Sequence, residues 1–322
     1  MIKTLVITAL GRESFSDRHL GQLDELGSVD VVGCSGAMSD IEFVRLARPY
    51  DVVALTRRPK AYLRPVTLSQ LPKLRAVVVH TTGVHWIDTD YLHGRAIPVF
   101  SLGGYATDSV AEQTLAGLLT LSRRTHLSID RSRGLIPPSI SLRGFELTGR
   151  TIGLIGYGRI GRRVHQLLEP FNSDVLIHDP AFDRSLELDS VLDRSDLLVL
   201  AASQRYGRPP IIGARELAAT SARYIVNAAC DELVDHVAIV DAVKRRQLDG
   251  YLLDEFDETL ANADVEPGRI IQTMHTGWYS DEAMARGKDQ WLQLIEQAVV
   301  LVERRDEGGT GGRVDQADQQ AA

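Results

Sequence analysis

The stretch that decides the fold covers residues 151–161 and reads TIGLIGYGRIG. Its first five residues are apolar or β-branched apart from one glycine, which is typical of a buried strand. Glycines follow at 156, 158 and 161, and the chain after them has the spacing of a helix. A strand that enters a G-x-G-x-x-G turn and leaves as a helix is the arrangement that binds a dinucleotide.

Each glycine of this turn has a predicted role. Gly156 permits the tight turn, Gly158 lets the backbone approach a pyrophosphate, and Gly161 allows close packing of helix on strand. The free N–H groups and the positive dipole end of the helix favour a phosphate. We therefore predict that the cofactor is bound by the whole turn, that is by Gly156, Tyr157, Gly158, Arg159, Ile160 and Gly161.

An acidic residue closes the next predicted strand. Asp179 follows Gly158 by about 20 residues, the spacing of the acid that binds the ribose hydroxyls. Its carboxylate would repel a 2′-phosphate, so NAD rather than NADP is the predicted cofactor. The alternative is that the glycines serve packing alone and Asp179 is an ordinary turn residue. Strand, helix and acid in one arrangement favour the dinucleotide site.

Short apolar runs recur on both sides of this segment and alternate with helix-like stretches. Because the runs are apolar nearly throughout, they predict two doubly wound parallel α/β sheets, Rossmann-like or flavodoxin-like, covered by helices on both faces. The predicted strands are 4–10, 29–33, 51–56, 75–82, 151–156, 174–179, 196–201, 223–228, 250–256 and 269–275. The predicted helices begin near Thr107, with Ser109 and Glu112 as a capping box, and cover 159–170, 186–194, 214–219, 235–247 and 281–307.

Composition limits the possible partners. The chain has 322 residues, 44% of them hydrophobic, and a formal net charge of -7. Nucleic-acid binding requires a basic surface, and a chain with this negative net charge is not expected to have one. Neither DNA nor RNA is therefore an expected partner. Two distant cysteines, Cys34 and Cys230, suggest neither a disulfide nor a metal site. With no signal segment or membrane span in sight, we expect a cytoplasmic protein.

Several blocks occur in an order that resembles the D-isomer-specific 2-hydroxyacid dehydrogenases. They are TTGVHWID at 81–88, TDSVAE at 107–112, ELTGR at 146–150, Ser195 with Asp196, 227–235, and Leu253 with Asp254. The resemblance implies a substrate domain formed by 1–103 with 284–307, an NAD domain formed by 104–283, a cleft between them, and a homodimer. The tail 308–322 has almost nothing apolar and is expected to be disordered.

The resemblance also implies catalytic positions, of which only one keeps its residue. His275, in TMHTG, matches the histidine that gives a proton to the substrate carbonyl, although such a histidine can also be purely structural. Cys230 stands where the family has an arginine, and a packed thiol is the simpler interpretation there. The family glutamate, five residues after Asp254, is Thr259 here. Glu258 would have to shift by one residue to pair with His275.

The remaining candidates bind cofactor or substrate. The resemblance places Ala228, Asp254 and His275 near the nicotinamide, although Asp254 can instead cap the following turn. The backbone at Thr82, Gly83 and Val84 matches the loop that holds the substrate carboxylate. Arg57 and Arg58 are cations that replace the missing arginine, unless they are only a solvated surface run.

The predicted function is therefore NAD-dependent hydride transfer to or from a small hydroxy or keto acid, or a related anionic carbonyl compound. The alternative is a relative that kept the NAD(H) site, lost turnover and acts in regulation or interaction.

Overall fold

The structure, a computed structural model, describes residues 1–57, 62–84, 86–203 and 208–307, which form two compact units. Unit 1 contains Met1–Tyr105 and the chain from Asp281 onward, and unit 2 contains Ala106–Ser280. The sequence placed these divisions after residues 103 and 283. The assignment of substrate to one unit and cofactor to the other stays a prediction. Arg58 and the tail 308–322 lie outside the described residues.

Unit 1 is built on a five-stranded parallel sheet with strand order β2-β1-β3-β4-β5. Its elements are β1 Lys3–Thr8, α1 Asp17–Glu25, β2 Ser28–Gly33, α2 Asp40–Ala47, β3 Val52–Leu55, α3 Pro65–Leu68, β4 Ala76–Val79, α4 Thr89–Gly94 and β5 Val99–Ser101. The four predicted strands are confirmed, whereas β5 was not predicted. Its run of three residues follows Pro98 and ends in the polar Ser101, which gives little strand pattern.

A long helix from the far end of the chain, which we number α12 and which covers Asp281–Asp306, packs on the unit 1 sheet beside β4. Trp291 anchors it and is 1% exposed. Its ring stacks on Phe15 with centroids 6.0 Å apart and meets the edge of His80 at 5.2 Å. The prediction of one long returning helix is confirmed.

Unit 2 is built on a six-stranded parallel sheet with strand order β11-β10-β9-β8-β6-β7. Its elements are α5 Thr107–Arg123, α6 Thr125–Ser132, β6 Thr151–Ile155, α7 Arg159–Leu168, β7 Asp174–His178, α8 Leu188–Arg194, β8 Leu197–Leu200, α9 Ala214–Ala219, β9 Tyr224–Asn227, α10 His236–Lys244, β10 Gly250–Leu253, α11 Glu258–Ala261 and β11 Ile270–Gln272. The order reverses between β6 and β8, and ligands of such sheets bind beyond the carboxyl ends at that point.

Alternation along the strands gives unit 2 a core on each face of the sheet. Ile152 and Leu154 of β6 belong to the cluster that includes α5 and α7 residues. Ile155, from the same strand, belongs to the opposite cluster with α8, α9 and α10 residues. Both faces are therefore apolar and covered, and the predicted doubly wound α/β class is confirmed.

One local prediction was wrong. Helix α5 begins at Thr107 after Ala106, and no side chain caps it. Ser109 therefore lies inside the first turn rather than at a cap, and its Oγ donates to the carbonyl of Gly277 at 2.6 Å. The Ser109 hydroxyl therefore bonds to Gly277, which is distant in the chain, and not to the backbone of its own helix. Within the described residues, no helix has the length and apolar character needed to cross a bilayer.

Arg269 makes a buried ion pair that tests how the last strands of unit 2 are held. It is 7% exposed, and its guanidinium contacts Asp249 at 3.1 Å and Glu266 at 3.3 Å. We expect Arg269→Ala to lower the free energy of unfolding by about 2–3 kcal/mol in urea titrations. This is less than the loss of a fully buried pair because both acids stay partly exposed.

Arg246 supplies the matched control, since it contacts the same Glu266 at 2.8 Å but is 60% exposed. Arg246→Ala should cost only about 0–1 kcal/mol, as solvent-exposed pairs do. Equal losses in the two variants would contradict a special role for the buried guanidinium.

Candidate active site

The glycine turn follows β6 and has the close packing that its sequence predicted. Gly156 has a φ of +96°, and a Cβ there would collide with the backbone of Ala202. A Cβ at Gly161 would collide with the carbonyl oxygen of Gly156. Neither position tolerates a side chain, so the end of β6, the turn and the start of α7 lie as close together as backbone permits.

The N-terminus of α7 offers backbone donors at this turn. Gly158 is the N-cap residue, with no side-chain cap, and Arg159 and Ile160 form the first turn of the helix. The side chain of Tyr157 is fixed by two contacts: its hydroxyl lies 3.0 Å from His165 Nδ1, and its ring centroid lies 4.5 Å from that of Phe182. The first N–H groups of α7 are thus uncapped by side chains, as an anion site requires.

Asp179 lies directly against the turn, at the carboxyl end of β7. Its Oδ2 accepts from the backbone N–H of Tyr157 at 2.6 Å, and its Oδ1 accepts from the N–H of Ala181 at 2.8 Å. Two backbone donors therefore fix the carboxylate while leaving acceptor capacity on each oxygen. The structure brings together the glycines and the acid that the sequence predicted to act together.

Asp254 organises the loop that carries His275. The carboxylate is 5% exposed and accepts three hydrogen bonds. Oδ1 accepts from Thr273 Oγ1 at 2.7 Å and from the N–H of Thr276 at 2.9 Å. Oδ2 accepts from the N–H of Gly277 at 2.6 Å. These contacts correspond to the turn-capping alternative, and a nicotinamide contact by Asp254 stays a prediction.

His275 occupies an unusual backbone conformation. It has a φ of 58°, and Met274 before it has a φ of 57°, so two successive side-chain-bearing residues are left-handed. Such residues cost free energy and cluster at functional sites. His275 Nδ1 lies 3.1 Å from Glu255 Oε1, and the two side chains are 46% and 15% exposed. The imidazole is therefore accessible and held from one side by a carboxylate.

The partner of His275 is Glu255, so the predicted pairing with Glu258 is wrong. Asp257 accepts from the N–H of Leu260 at 2.9 Å and caps α11. The helix therefore begins at Glu258, which lies exposed on its first turn. Glu255 precedes this cap and remains at the carboxyl edge of β10, within reach of β11. A catalytic role for Glu258 is withdrawn.

Cys230 is a packed thiol, 8% exposed, in the same apolar cluster as Leu233 and Leu253. Burial, and then the nearby carboxylate of Glu232, raise the pKa of Cys230 to about 12. The group is therefore neutral at ordinary pH. It supplies neither the positive charge of the family arginine nor a nucleophile, and the packing interpretation is the one that the geometry supports.

Asp231, next to Cys230, is an acid whose surroundings favour its protonated form. Burial, and then contacts with Glu232 and Glu255, raise the pKa of Asp231 to about 8. Its backbone N–H donates to Glu255 Oε2 at 3.2 Å, which ties it to the partner of His275. Ala228 lies half-buried at the same carboxyl edge, directly after β9.

The predicted substrate-binding residues of unit 1 lie at the carboxyl edge of its own sheet. Arg57 follows β3, and Thr82, Gly83 and Val84 follow the neighbouring β4. The carbonyl of Gly83 accepts from Thr81 Oγ1 at 2.9 Å and from Trp86 Nε1 at 3.0 Å. Within the described residues, the N–H groups of Thr82, Gly83 and Val84 donate to no protein acceptor.

Sequence reasoning missed Glu255 as the partner of His275 and Asp231 as a proton-bearing acid. A usable signal existed for Glu255, since it directly follows Asp254 at a strand end. The family spacing, however, points to Thr259 instead of Glu255. For Asp231 the signal was weaker, because its raised pKa depends on burial and on two other acids. Glu232 is adjacent in the chain, but Glu255 is distant.

Comparisons with known proteins agree with this architecture. A family model described as "D-isomer specific 2-hydroxyacid dehydrogenase, NAD binding domain" matches residues 115–277. The (S)-sulfolactate dehydrogenase of Chromohalobacter salexigens is 30% identical over 249 residues, which cover 73% of this chain and 81% of that protein. The glycerate dehydrogenase of Methylorubrum extorquens is 29% identical over 274 residues, covering 80% and 85%.

A solved structure extends the likeness to nearly the whole chain. The D-lactate dehydrogenase of Aquifex aeolicus, complexed with NAD and lactic acid, has a TM-score of 0.75 at 20% identity. The match covers 96% of this chain and 99% of that one. At this identity the likeness is one of fold.

Because the pKa of Asp231 is raised in the folded chain, we expect the free energy of unfolding to depend on pH. The pKa of this carboxyl group is about 8 in the folded chain and near 3.8 ordinarily, so wild type loses stability as pH rises between those values. Asp231→Asn does not titrate. We expect the variant to be more stable than wild type by about 1–2 kcal/mol at pH 8.5, with a smaller difference at pH 5.

Urea unfolding at both pH values measures this difference. Asp264→Asn, which removes an exposed acid elsewhere in unit 2, is the matched control and should follow wild type at every pH. A stability difference for Asp231→Asn that does not change with pH would show that Asp231 ionises normally.

Proposed function

The chain belongs to the D-isomer specific 2-hydroxyacid dehydrogenase family, and we propose that it interconverts a 2-hydroxy acid and its 2-keto acid with His275 as acid and base. It is an NAD-dependent oxidoreductase of that family's type. The observation that carries the proposal is the pairing of His275 Nδ1 with Glu255 at 3.1 Å on a strained loop. A histidine held in this way is presented rather than buried.

His275 moves the proton in this proposal. Because Glu255 engages Nδ1, Nε2 is the ring nitrogen left to meet a substrate oxygen. In reduction, Nε2 gives its proton to the carbonyl oxygen as that oxygen gains negative charge. In oxidation, Nε2 accepts the hydroxyl proton, and Glu255 stabilises the resulting imidazolium. Asp254 keeps the loop in place through its three hydrogen bonds.

The cofactor is held by the glycine turn. The uncapped N–H groups at the start of α7 suit the pyrophosphate, and Asp179 suits the ribose hydroxyls. When bound, NADH supplies the hydride that reduces the carbonyl carbon. The close packing of Gly156 and Gly161 supports this role, since a Cβ at either position would collide with backbone and move the start of α7 away from the end of β6.

The substrate is a small acid, held by the loop after β4. The N–H groups of Thr82, Gly83 and Val84 suit a carboxylate, because within the described residues they donate to no protein acceptor. Relatives named for sulfolactate and glycerate support a 2-hydroxy acid with a second polar group. Arg57 and Arg58 are the proposed source of positive charge in place of the family arginine, since Cys230 has none.

We also propose that the chain works in the cytoplasm as a homodimer on small molecules and not on nucleic acid. The net charge of -7 and two free cysteines support this setting. Light scattering coupled to gel filtration would measure the mass, and a monomer at micromolar concentration would contradict the dimer.

Replacing His275 tests the chemistry. We expect His275→Asn to reduce turnover roughly 10²–10⁴-fold, the usual contribution of a positioned acid or base, while NADH affinity stays within a factor of about three. The assay follows NADH oxidation at 340 nm, with a panel of 2-keto acids that includes sulfonated and hydroxylated members. His93→Asn, an exposed histidine of α4, is the matched control. Wild type that turns over none of the panel would contradict the proposed function.

Replacing Asp179 tests the cofactor site. The Asn side chain keeps the shape but removes the charge that favours two ribose hydroxyls and rejects a 2′-phosphate. We expect Asp179→Asn to weaken NADH about tenfold in calorimetry and to narrow its preference over NADPH, consistent with the loss of a charge-assisted hydrogen bond. Asp183→Asn, an exposed acid in the same loop, should bind like wild type. Equal affinity of wild type for NADH and NADPH would exclude this role for Asp179.

A further inference from the structure

The loop that carries His275 is tied to the first turn of α5. We call residues 273–277 the His275 loop, which follows β11 directly. Ser109 lies on the first turn of α5, and its Oγ donates to the carbonyl of Gly277 at 2.6 Å. The two residues are 168 positions apart in the sequence. The bond therefore joins the loop to a helix from a distant part of the chain.

Both partners of this bond lie near the points where the chain passes from one unit to the other. Unit 2 begins at Ala106 and ends at Ser280. Ser109 lies just after that beginning, and Gly277 lies just before that end. The hydrogen bond therefore connects the first and last segments of unit 2, and the His275 loop is held by the helix that opens the unit as well as by the sheet.

Two hydrogen bonds fix the peptide groups on either side of Gly277. Its own N–H, which belongs to the peptide group before it, donates to Asp254 Oδ2 at 2.6 Å. Its carbonyl, which belongs to the peptide group after it, accepts from Ser109. Because glycine has no Cβ, its two backbone torsions are the least restricted in the loop. The carboxylate and the hydroxyl together set both torsions.

Helix α5 also closes the space around Gly277. A Cβ at this position would lie 2.5 Å from Asp254 Oδ2 and 3.4 Å from Gln113 Cγ. Gln113 lies one helical turn after Ser109, on the same face of α5. The beginning of α5 therefore packs directly against the end of the His275 loop and leaves no room for a side chain there.

The loop needs these contacts because its conformation is unfavourable by itself. Met274 and His275 have φ values of 57° and 58°, which side chains with a Cβ disfavour. Without a fixed end at Gly277, the two residues would relax toward more favourable torsions. The imidazole would move with them, and a misplacement of about 1 Å can lower a rate about 100-fold.

We propose that Ser109 is a positioning residue, which fixes the peptide group after Gly277 and so keeps the imidazole of His275 in place. It acts through the backbone of the loop and not on the substrate. The hydroxyl supplies what the carboxylate of Asp254 does not, since Asp254 binds the N–H groups of the loop and Ser109 binds a carbonyl. The catalytic part of this inference rests on the proposed function.

The first test measures the loop directly, by amide hydrogen exchange in the full chain without cofactor or substrate. The N–H groups of Thr276 and Gly277 donate to Asp254 and report opening of the loop. We expect Ser109→Ala to speed exchange at both amides about three- to tenfold, the usual effect of one hydrogen bond. The amides of β6 and β8 report global opening and correct for any change in overall stability.

Ser122→Ala is the matched control, because Ser122 is a buried serine of the same helix. Its Oγ donates to the carbonyl of Leu119 at 3.3 Å, so its partner belongs to α5 itself. The variant loses a serine hydroxyl and a hydrogen bond, and after the correction its loop amides should exchange like those of wild type. Equal loop exchange in Ser109→Ala and Ser122→Ala would overturn the proposal.

Kinetics separates a positioning role from a merely structural one. Ser109→Ala should lower kcat about tenfold through the misplaced imidazole. KM and the affinity for NADH should stay within a factor of about three, because the loop after β4 and the glycine turn are unchanged. Ser109→Thr keeps the hydroxyl and should return kcat to within about threefold of wild type. An unchanged kcat in Ser109→Ala, or a loss that Ser109→Thr does not recover, would contradict the positioning role.

The two measurements separate this inference from the proposed function. The exchange experiment needs no reaction, so a wild type without turnover would reject the proposed function while faster loop exchange still showed that Ser109 holds the loop. Turnover in a wild type whose loop exchange does not depend on Ser109 would keep the reaction and reject the role of Ser109.

Discussion

The buried carboxylate of Asp254 holds His275 in a conformation that the local sequence resists. Two left-handed residues in succession, Met274 and His275, are unfavourable for side chains that carry a Cβ. Three hydrogen bonds to one carboxylate offset that cost, and the hydroxyl of Ser109 fixes the far end of the loop at Gly277. The register of β10 against β9 and β11 decides where this carboxylate stands, so the position of the imidazole follows from the pairing of the sheet.

The glycine turn is a second consequence of strand order. Because β8 pairs with β6, the backbone that follows β8 lies against the end of β6. Gly156 is needed there for space as much as for its positive φ, since Ala202 occupies the place of a Cβ. Asp179 reaches the same turn because β7 lies on the other side of β6. The proposed cofactor site and the reversal of strand order therefore coincide in the topology.

Much of this could be predicted from the sequence because parallel strands buried on both faces give runs that are hard to mistake. The strands with four or more residues were all predicted, as was the three-residue β11, whereas the three-residue β5 was missed. Predictions failed where a distant residue decides the local structure. The sequence predicts Ser109 as a helix cap, but its hydroxyl donates instead to the carbonyl of Gly277, which is distant in the chain.

Some residues of the candidate site could be predicted from the sequence, and others could not. His275, Asp179 and the glycines could be predicted because each stands in a continuous motif. The pairing of Glu258 with His275 was predicted wrongly because Asp257 caps a helix that begins at Glu258. The family spacing does not show where this helix begins. Glu255 was missed although it adjoins Asp254, since its significance lies in a contact with the next strand.

Cys230 stands where the family resemblance implies an arginine, so this edge of the sheet lacks the positive charge that the resemblance predicts there. A buried cluster of acids is costly unless its charge is balanced, and the balance can come from a cation or from bound protons. Here burial raises the pKa of the thiol to about 12, so it adds no charge of either sign, whereas burial and the neighbouring carboxylates raise the pKa of Asp231 and favour its protonated form. A proton differs from a guanidinium in one important respect, since it leaves when the pH rises.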